Sequence, residues 1–422
     1  MGKKLNIGFV GMSHLGLNYL AAASDKGFSV IGFDNDKNKI HKIKKKTLEL
    51  SEPKLWNLIK KNSKRITFSD NFKNLKLCDL IFISQDTETE KKGRAKLTKL
   101  KKLIDIAILN ISKNAILIVL SQVKPGFIRK IKFDKSRLYY QVETLVFGKA
   151  IERAINPERI IVGSHKTNSN IKNKYFSYLK KFNCPILKMK YESAELTKIS
   201  INILLASTIT STNLLAEVCE KTSADWQEVV PALQLDERIG KKSYLKPGLG
   251  ISGGNIERDI FSVKEIVRNN DRPLSFINAF EKNSDYMKSW VYRVLNKNRI
   301  LNKNSHICIL GLSYKENTDS TKNSPTISLL KKIKNNPIKI YDPKAILKEK
   351  YKNCLQVKNM FSAIKNTNLI ILMTPWGEFK TINKYFNFIK KKSVIIDPHR
   401  VIDFKYLKKR SFEYFTLGKQ EI

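Results

Sequence analysis

Cysteine is scarce and scattered in this 422-residue chain. The five cysteines, Cys78, Cys184, Cys219, Cys308 and Cys354, form no C-x-x-C pair and join no Cys/His cluster. That spacing points away from a zinc site and from a disulfide framework, so no metal is expected. Uninterrupted apolar runs are short; one of the purest, Ala115 to Leu120, is strand-sized. None approaches the roughly 18 residues of a membrane span. The opening residues, M-G-K-K-L-N-I-G-F-V, lead straight into a strand pattern without the apolar region and cleavage site of a secretory signal. The expectation is a cytoplasmic protein with no membrane partner. Acidic residues are few, 38 against 79 basic ones, and only 14 of the basic residues are arginine. A net charge of +41 suits a polyanion partner. The lysines are nevertheless spread with Asn and Ile along the whole chain, as A+T-rich codons would produce. No basic block is interleaved with aromatics, and no specific nucleic-acid partner is expected.

The length suits two or three domains, and 42% hydrophobic residues allow a sizeable core. Strand patterns at Leu5 to Val10, Phe28 to Phe33, Arg65 to Phe68, Leu80 to Ser84, Ala115 to Leu120 and Arg159 to Val162 alternate with helical ones. The first helix runs from Leu15 to Asp25, with Gly27 suited to cap it. This βαβ punctuation predicts a mostly parallel, doubly wound sheet. From Ser193 to about Lys221 neither Gly nor Pro occurs, and Ile199, Ile203, Leu204, Leu205, Leu214 and Leu215 spread over nearly every face. Such a helix is expected to be buried on several sides, in a core or a dimer interface. A second α/β pattern follows, with strands at Ser305 to Leu310, Ile338 to Tyr341, Leu369 to Met373 and Ser393 to Ile396. The fold class is α/β: two Rossmann-like, doubly wound domains, 1–190 and 301–422, joined by a long central helix and a helical dimerisation segment, 191–300.

The first strand–helix turn reads Gly11-Met12-Ser13-His14-Leu15-Gly16. A dinucleotide fingerprint is G-x-G-x-x-G, in which the middle glycine admits the pyrophosphate to the backbone and the helix N-terminus binds it. Ser13 replaces that glycine and adds a Cβ where space is short. Asp34 ends the second strand, where an acid binds the adenosine ribose hydroxyls and favours NAD over NADP. His14 either touches phosphate or faces solvent.

Four later segments together resemble the UDP-glucose/GDP-mannose dehydrogenase family. Ser193-Ala-Glu-Leu-Thr-Lys198-Ile-Ser-Ile-Asn202 is similar to its S-A-E-L-x-K-x-x-x-N helix. Arg238-Ile-Gly240 with Tyr244-Leu-Lys-Pro-Gly248-Leu-Gly250 is similar to its sugar-phosphate loop. Gly311-Leu-Ser-Tyr-Lys315-Glu-Asn-Thr-Asp319 through Ser324-Pro325 resembles G-L-x-F-K-x-N-T-D-D-x-R-x-S-P, and Asp397-Pro-His-Arg400 its D-x-R motif. Lys198 and Asn202, at i and i+4, share a helical face and can converge on one oxygen. The resemblance implies NAD as cofactor, a UDP-sugar as substrate and a homodimer. It implies catalytic roles for Glu143, Lys198, Asn202 and Asp259, and cofactor contacts at Gly11, Ser13, His14, Leu15, Gly16, Asp34, Thr87 and Gln122. Substrate contacts fall on Arg238, Tyr244, Gly248, Gly250, Lys315 and Arg400. Part of the positive charge can help attract an anionic sugar nucleotide.

One catalytic position departs. The family's G-G-S-C-F-P-K-D loop is matched by Ser252-Gly-Gly-Asn255-Ile-Glu-Arg-Asp259, so Asn255 stands at the cysteine. No cysteine lies between Cys219, on the long helix, and Cys308, in a strand; both look like buried thiols. In the family, the C6 alcohol becomes an aldehyde, a thiolate adds to it, and a second oxidation gives a thioester that water hydrolyses. An amide cannot be that nucleophile. Gln122 replaces a threonine, Val146 and Phe147 an Arg-Glu pair, Glu257 the loop proline and Lys322 an arginine fork. The expected activity is NAD-dependent oxidation of the C6 alcohol of a UDP-hexose, with UDP-glucose the default. It either stops at the aldehyde or passes through the hydrate to the acid. The alternative is a non-catalytic sugar-nucleotide-binding homologue, or a partner of an active dehydrogenase. The implied pathway is surface-glycan synthesis.

Overall fold

The computed structural model describes residues 5–50, 52–90, 93–167, 170–302, 305–333, 335–390, 392–407 and 412–420. The chain forms two compact units, Met1–Ile201 and Asn202–Ile422.

The first unit opens with β1 (Asn6–Val10), α1 (His14–Asp25), β2 (Ser29–Phe33), α2 (Lys37–Lys44), α3 (Leu55–Lys61), β3 (Ile66–Ser69) and β4 (Leu80–Ile83). A small antiparallel pair, β5 (Glu88–Thr89) and β6 (Ala95–Lys96), precedes α4 (Thr98–Asn110) and β7 (Ile116–Val119). Then come β8 (Leu138–Gln141), α5 (Ala150–Ile155), β9 (Ile160–Ser164), α6 (Asn173–Lys180) and β10 (Ile186–Lys190). The sheet order is β10-β9-β8-β7-β4-β1-β2-β3, parallel throughout except between β8 and β9. Strand β4 shows why this sheet has no wet face. Leu80 and Phe82 enter one apolar cluster, Ile81 and Ile83 another, and all four are fully buried. A strand sandwiched between helical layers reads as continuous hydrophobic residues rather than as alternation. Gly27 adopts φ +92° immediately after α1, and Phe28 N–H donates to Ala23 O, the Schellman stop that the sequence anticipates.

The helix α7 (Tyr191–Thr222) has 32 residues and belongs to both units. After it come α8 (Trp226–Leu235), α9 (Asn255–Val267), α10 (Asp271–Lys288) and α11 (Trp290–Lys297). The closing lobe has β11 (Ile307–Leu310), α12 (Pro325–Lys332), β12 (Ile338–Tyr341), β13 (Cys354–Gln356), β14 (Leu369–Leu372), β15 (Val394–Ile396) and β16 (Glu413–Phe415). Its all-parallel order, β13-β12-β11-β14-β15-β16, is the doubly wound Rossmann order. Strands β8, β10, β13 and β16 have no counterpart in the sequence reading. They are short, and β10 carries three charged or exposed residues of five, so hydrophobicity alone does not mark it.

One expectation for α7 is corrected. Ile199 is buried, but Leu204, Leu205, Leu214 and Leu215 are exposed, as is Val218. Burial on several sides does not hold within one chain. By length and composition the helix is long and apolar enough to cross a membrane, a description that a core or interface helix also meets. Ser, Thr and Asn punctuate the segment, so it contains no long uninterrupted apolar run. The buried thiols are as expected: Cys219 packs with Ala216 and Trp226, and Cys308 is sealed inside β11, where burial raises its pKa.

Candidate functional site

In the first unit, β1 ends at Val10, immediately before Gly11, and α1 begins one residue after Ser13. A Cβ on Gly16 would lie 2.0 Å from Gly11 O, so only glycine lets this helix start so close to the strand. Asp34, fully buried after β2, accepts the Met12 N–H at 2.9 Å and the Asp36 N–H at 3.1 Å, and holds Lys39 Nζ at 2.7 Å. Ser13 does not simply crowd the turn. Its Oγ donates to Ser84 O at the exit of β4 and accepts the Asp86 N–H, so the hydroxyl ties the two central strands together at the point where strand order reverses. His14 does not face solvent freely. Its Nε2 lies 2.8 Å from Glu52 Oε2, and its ring stacks on Phe147 at 4.2 Å. Glu52 in turn accepts the Gly148 and Ala150 N–H groups. Thr87 Oγ1 donates to Gln122 O at 2.8 Å, which joins the loops after β4 and β7.

One group here escaped sequence reasoning. Asp86 Oδ2 accepts the Leu15 N–H at 3.2 Å. A side-chain carboxylate thus sits at the N-terminus of α1, where a dinucleotide's pyrophosphate is expected. Burial raises its pKa, opposed by the charge of His14. An acid just past the end of a central parallel strand was the available signal.

Lys198 Nζ pairs with Glu143 Oε1 at 2.6 Å, and both side chains are largely buried. Glu143 also accepts the Leu145 N–H. One turn earlier on α7, the fully buried Glu195 accepts Gly126 N–H at 2.6 Å and Ile128 N–H at 2.8 Å. It fastens the loop bearing Gln122 to the helix bearing Lys198. Burial pushes this carboxyl up to about 7 despite those two donors. The Ser-Ala-Glu motif contained the residue, but nothing in its spacing revealed the loop it holds.

In the second unit, Asn202 Nδ2 donates to the buried Asp259 Oδ2 at 2.5 Å, and Arg258 Nε stands 3.7 Å from Asp259 Oδ1. Asn255 is the first residue of α9 and is exposed. Glu257, in place of the loop proline, reaches Lys288 at 3.3 Å and accepts from Asn323 Nδ2 at 2.6 Å. The loop before α9 needs its glycines. Gly253 has φ +90°, and a Cβ there would stand 2.4 Å from the Tyr314 ring.

Tyr244, Lys246, Pro247, His399, Arg400 and Trp226 line a cleft of about 490 Å³. Asp397 orders the turn that carries His399 and Arg400 by accepting the His399 and Ile402 N–H groups and the Tyr414 hydroxyl. Burial raises the Asp397 carboxyl to about 6 and lowers His399 to about 4, with Lys246 adding to the latter shift. Arg400 takes a left-handed backbone, φ +49°, and binds Asp225 through Nη1 at 2.6 Å. Its buried Nε and Nη2 have no hydrogen-bond partner among the described residues. That is a cationic fork suited to phosphate or carboxylate. Gly248 faces His399, and its N–H donates to Asn213 Oδ1. A Cβ on Gly250 would meet Ser284 O at 2.4 Å. Four expected contacts are not among the residues lining the cleft: Gly248 and Gly250, Lys315, which extends over the Tyr314 ring, and the highly exposed Arg238, which forks onto Asp236.

A dinucleotide turn on one doubly wound sheet and an unsatisfied arginine fork on a second define a nucleotide-handling α/β oxidoreductase. The chain belongs to the UDP-glucose/GDP-mannose dehydrogenase family. Residues 5–180 match the family's NAD binding domain, 192–285 its central domain and 308–404 its UDP binding domain. It is 30% identical to the UDP-glucose 6-dehydrogenase of Rickettsia conorii, over 99% of this chain and all of that one. It is 27% identical to the Bacillus subtilis UDP-glucose 6-dehydrogenase TuaD, over 99% and 94% of the two chains. The fold is that of a UDP-glucose dehydrogenase from Pyrobaculum islandicum, with a TM-score of 0.85 at 20% identity over 99% and 98% of the chains. The protein is accordingly an NAD-dependent oxidoreductase of the UDP-sugar dehydrogenase family.

Proposed function

We propose that the chain oxidises the C6 alcohol of a UDP-hexose, with UDP-glucose the first substrate to test, and releases the aldehyde. The carrying observation is Asn255 at the head of α9, one turn before Asp259, where the family has its thiol. Bound NAD supplies the hydride acceptor; Gly11, Gly16 and Asp34 are the residues fitted to hold it. Lys198 stabilises negative charge developing on the sugar oxygen, and Glu143 accepts its proton. Asn202 orients Asp259 by donating to Oδ2. Arg400, Tyr244 and Gly248 take the diphosphate and sugar. The balance is one alcohol and one NAD⁺ to one aldehyde, one NADH and one proton. The second hydride transfer lacks its covalent intermediate.

The three-part division at 190 and 300 belongs to this reading, as does a homodimer. Leu204 (68% exposed) and Leu214 (57%) lie on one helix with Leu205, Leu215 and Val218. An uncovered apolar face of this kind marks an interface, and a second copy of the chain is its proposed occupant. L204K/L214K should run as a monomer in light scattering; an unchanged mass sinks the dimer.

NADH released per UDP-glucose tests the chemistry. One NADH with a trappable aldehyde supports the reading, and N255C should raise the yield towards two. Two NADH from the native chain overturn it. The second reading, a non-catalytic sugar-nucleotide binder, is favoured by Asp86 on the Leu15 N–H. UDP-glucose binding without any NADH would establish it.

A further inference from the structure

Away from the Tyr244–Arg400 cleft, the second unit holds another recess, of about 670 Å³. It lies among the end of α7, α10, α11 and the segment 415–420. Arg293 projects from α11, with its guanidinium carbon 3.4 Å from the centroid of the Tyr286 ring. Its Nε and Nη2 are buried and have no hydrogen-bond partner among the described residues. These two atoms form one edge of the guanidinium plane. The same edge grips Glu192 from Arg129, and Asp236 from Arg238. In Arg293 that bidentate edge meets no acceptor.

Nearby acids do not fill the role. Glu217 accepts the Tyr286 hydroxyl and pairs with Lys221. Glu220 accepts the Gly418 N–H and the Trp290 Nε1–H. Lys221, Lys297 and Lys419 line the recess as well, so basic side chains outnumber acidic ones. Two guanidinium N–H atoms withdrawn from water without an acceptor are costly, and stacking on Tyr286 fixes the plane in advance of any ligand. The volume exceeds that of a bare phosphate ion, and Trp290 and Phe415 offer apolar wall to an organic remainder.

We infer that this recess binds a phosphorylated small molecule whose phosphate takes the Nε–Nη2 edge of Arg293. The site is separate from the one used for the oxidation, and the inference does not depend on that reaction.

Equilibrium dialysis with inorganic pyrophosphate, glucose 1-phosphate and citrate at constant ionic strength tests it, on the native chain, R293Q and R293K. With saturating UDP and NAD present to occupy the Arg400 cleft and the α1 turn, the native chain should show one further pyrophosphate site that R293Q lacks. R293K keeps the charge but not the fork, and should bind about tenfold more weakly. If R293Q does not fold, R293K decides by the same shift. Glucose 1-phosphate binding at least as tightly as pyrophosphate identifies an organic phosphate as the ligand, and weaker binding removes the organic part of the inference. Unchanged pyrophosphate binding in R293K overturns the site. Citrate binding as tightly as pyrophosphate overturns the phosphate class. A loss of dimer in R293Q with pyrophosphate binding intact shows that the edge serves a subunit contact, and also overturns the inference.

Discussion

Lys198 and Glu143 form an ion pair 2.6 Å long, with 11% and 15% of their side chains exposed. Their burial matters because an ammonium held away from water stabilises a developing oxyanion far better than a solvated one. K198M should therefore lower kcat by about 10²–10³, comparable to loss of an oxyanion donor. E143Q should lower it by roughly 10² or more through loss of the general base. NADH formation under saturating substrate measures both, with circular dichroism to confirm the fold. Activity within twofold of the native chain in both variants would remove the pair from the chemistry.

Asp86 predicts a pH-dependent cofactor affinity. Its carboxylate and a pyrophosphate compete for the N-terminus of α1. Pyrophosphate binding favours the protonated acid, so NAD affinity should fall as pH rises through the raised Asp86 pKa. D86N should tighten NAD binding several-fold at pH 8 and flatten that dependence. Calorimetric titration from pH 5 to 8 reads both effects; weaker binding in D86N would show that the carboxylate supports the cofactor instead.

Glu195 predicts a stability slope. Its folded pKa, about 7, lies above the unfolded carboxyl value. The folded state therefore holds the extra proton, and the contribution to stability is full below about pH 4.3 and lost as pH rises through 7. Urea midpoints should decline across that window in the native chain and decline less in E195Q. An identical slope in E195Q would place the titration elsewhere.

Arg400 predicts a binding defect without a chemical one. R400K keeps charge at Asp225 but loses the open Nε–Nη2 edge. KM for UDP-glucose should rise about tenfold, in line with ~1.4 kcal/mol of lost binding, while kcat changes little. A fall in kcat at unchanged KM would reassign the arginine.

Much of the fold was legible from the sequence for particular reasons. Leu80 to Ile83 and Ile307 to Leu310 are continuous apolar strands because both faces are covered, and their lengths distinguish them from helices. Gly11, Gly16 and Asp34 mark the turn because close helix approach and the strand-end acid each need that residue type. Within the candidate site, the resemblance singled out Lys198 and Asn202, and their i, i+4 spacing puts them on one helical face. Their partners Glu143 and Asp259 are 55 and 57 residues away, so the pairings themselves could not be read from local pattern.

The sequence by itself determined the class of fold and the Gly11–Gly16 strand–helix turn, because each depends on residue type at short spacing. Only the tertiary structure decided that Ser13 bridges two strands, that Asp86 occupies the helix terminus and that Glu195 holds a loop some 70 residues back. It also decided that one face of α7 stays uncovered and that Arg293 keeps an open edge. These outcomes depend on which distant backbone groups arrive beside a side chain, and on whether water is excluded when they do. Periodicity carries neither fact.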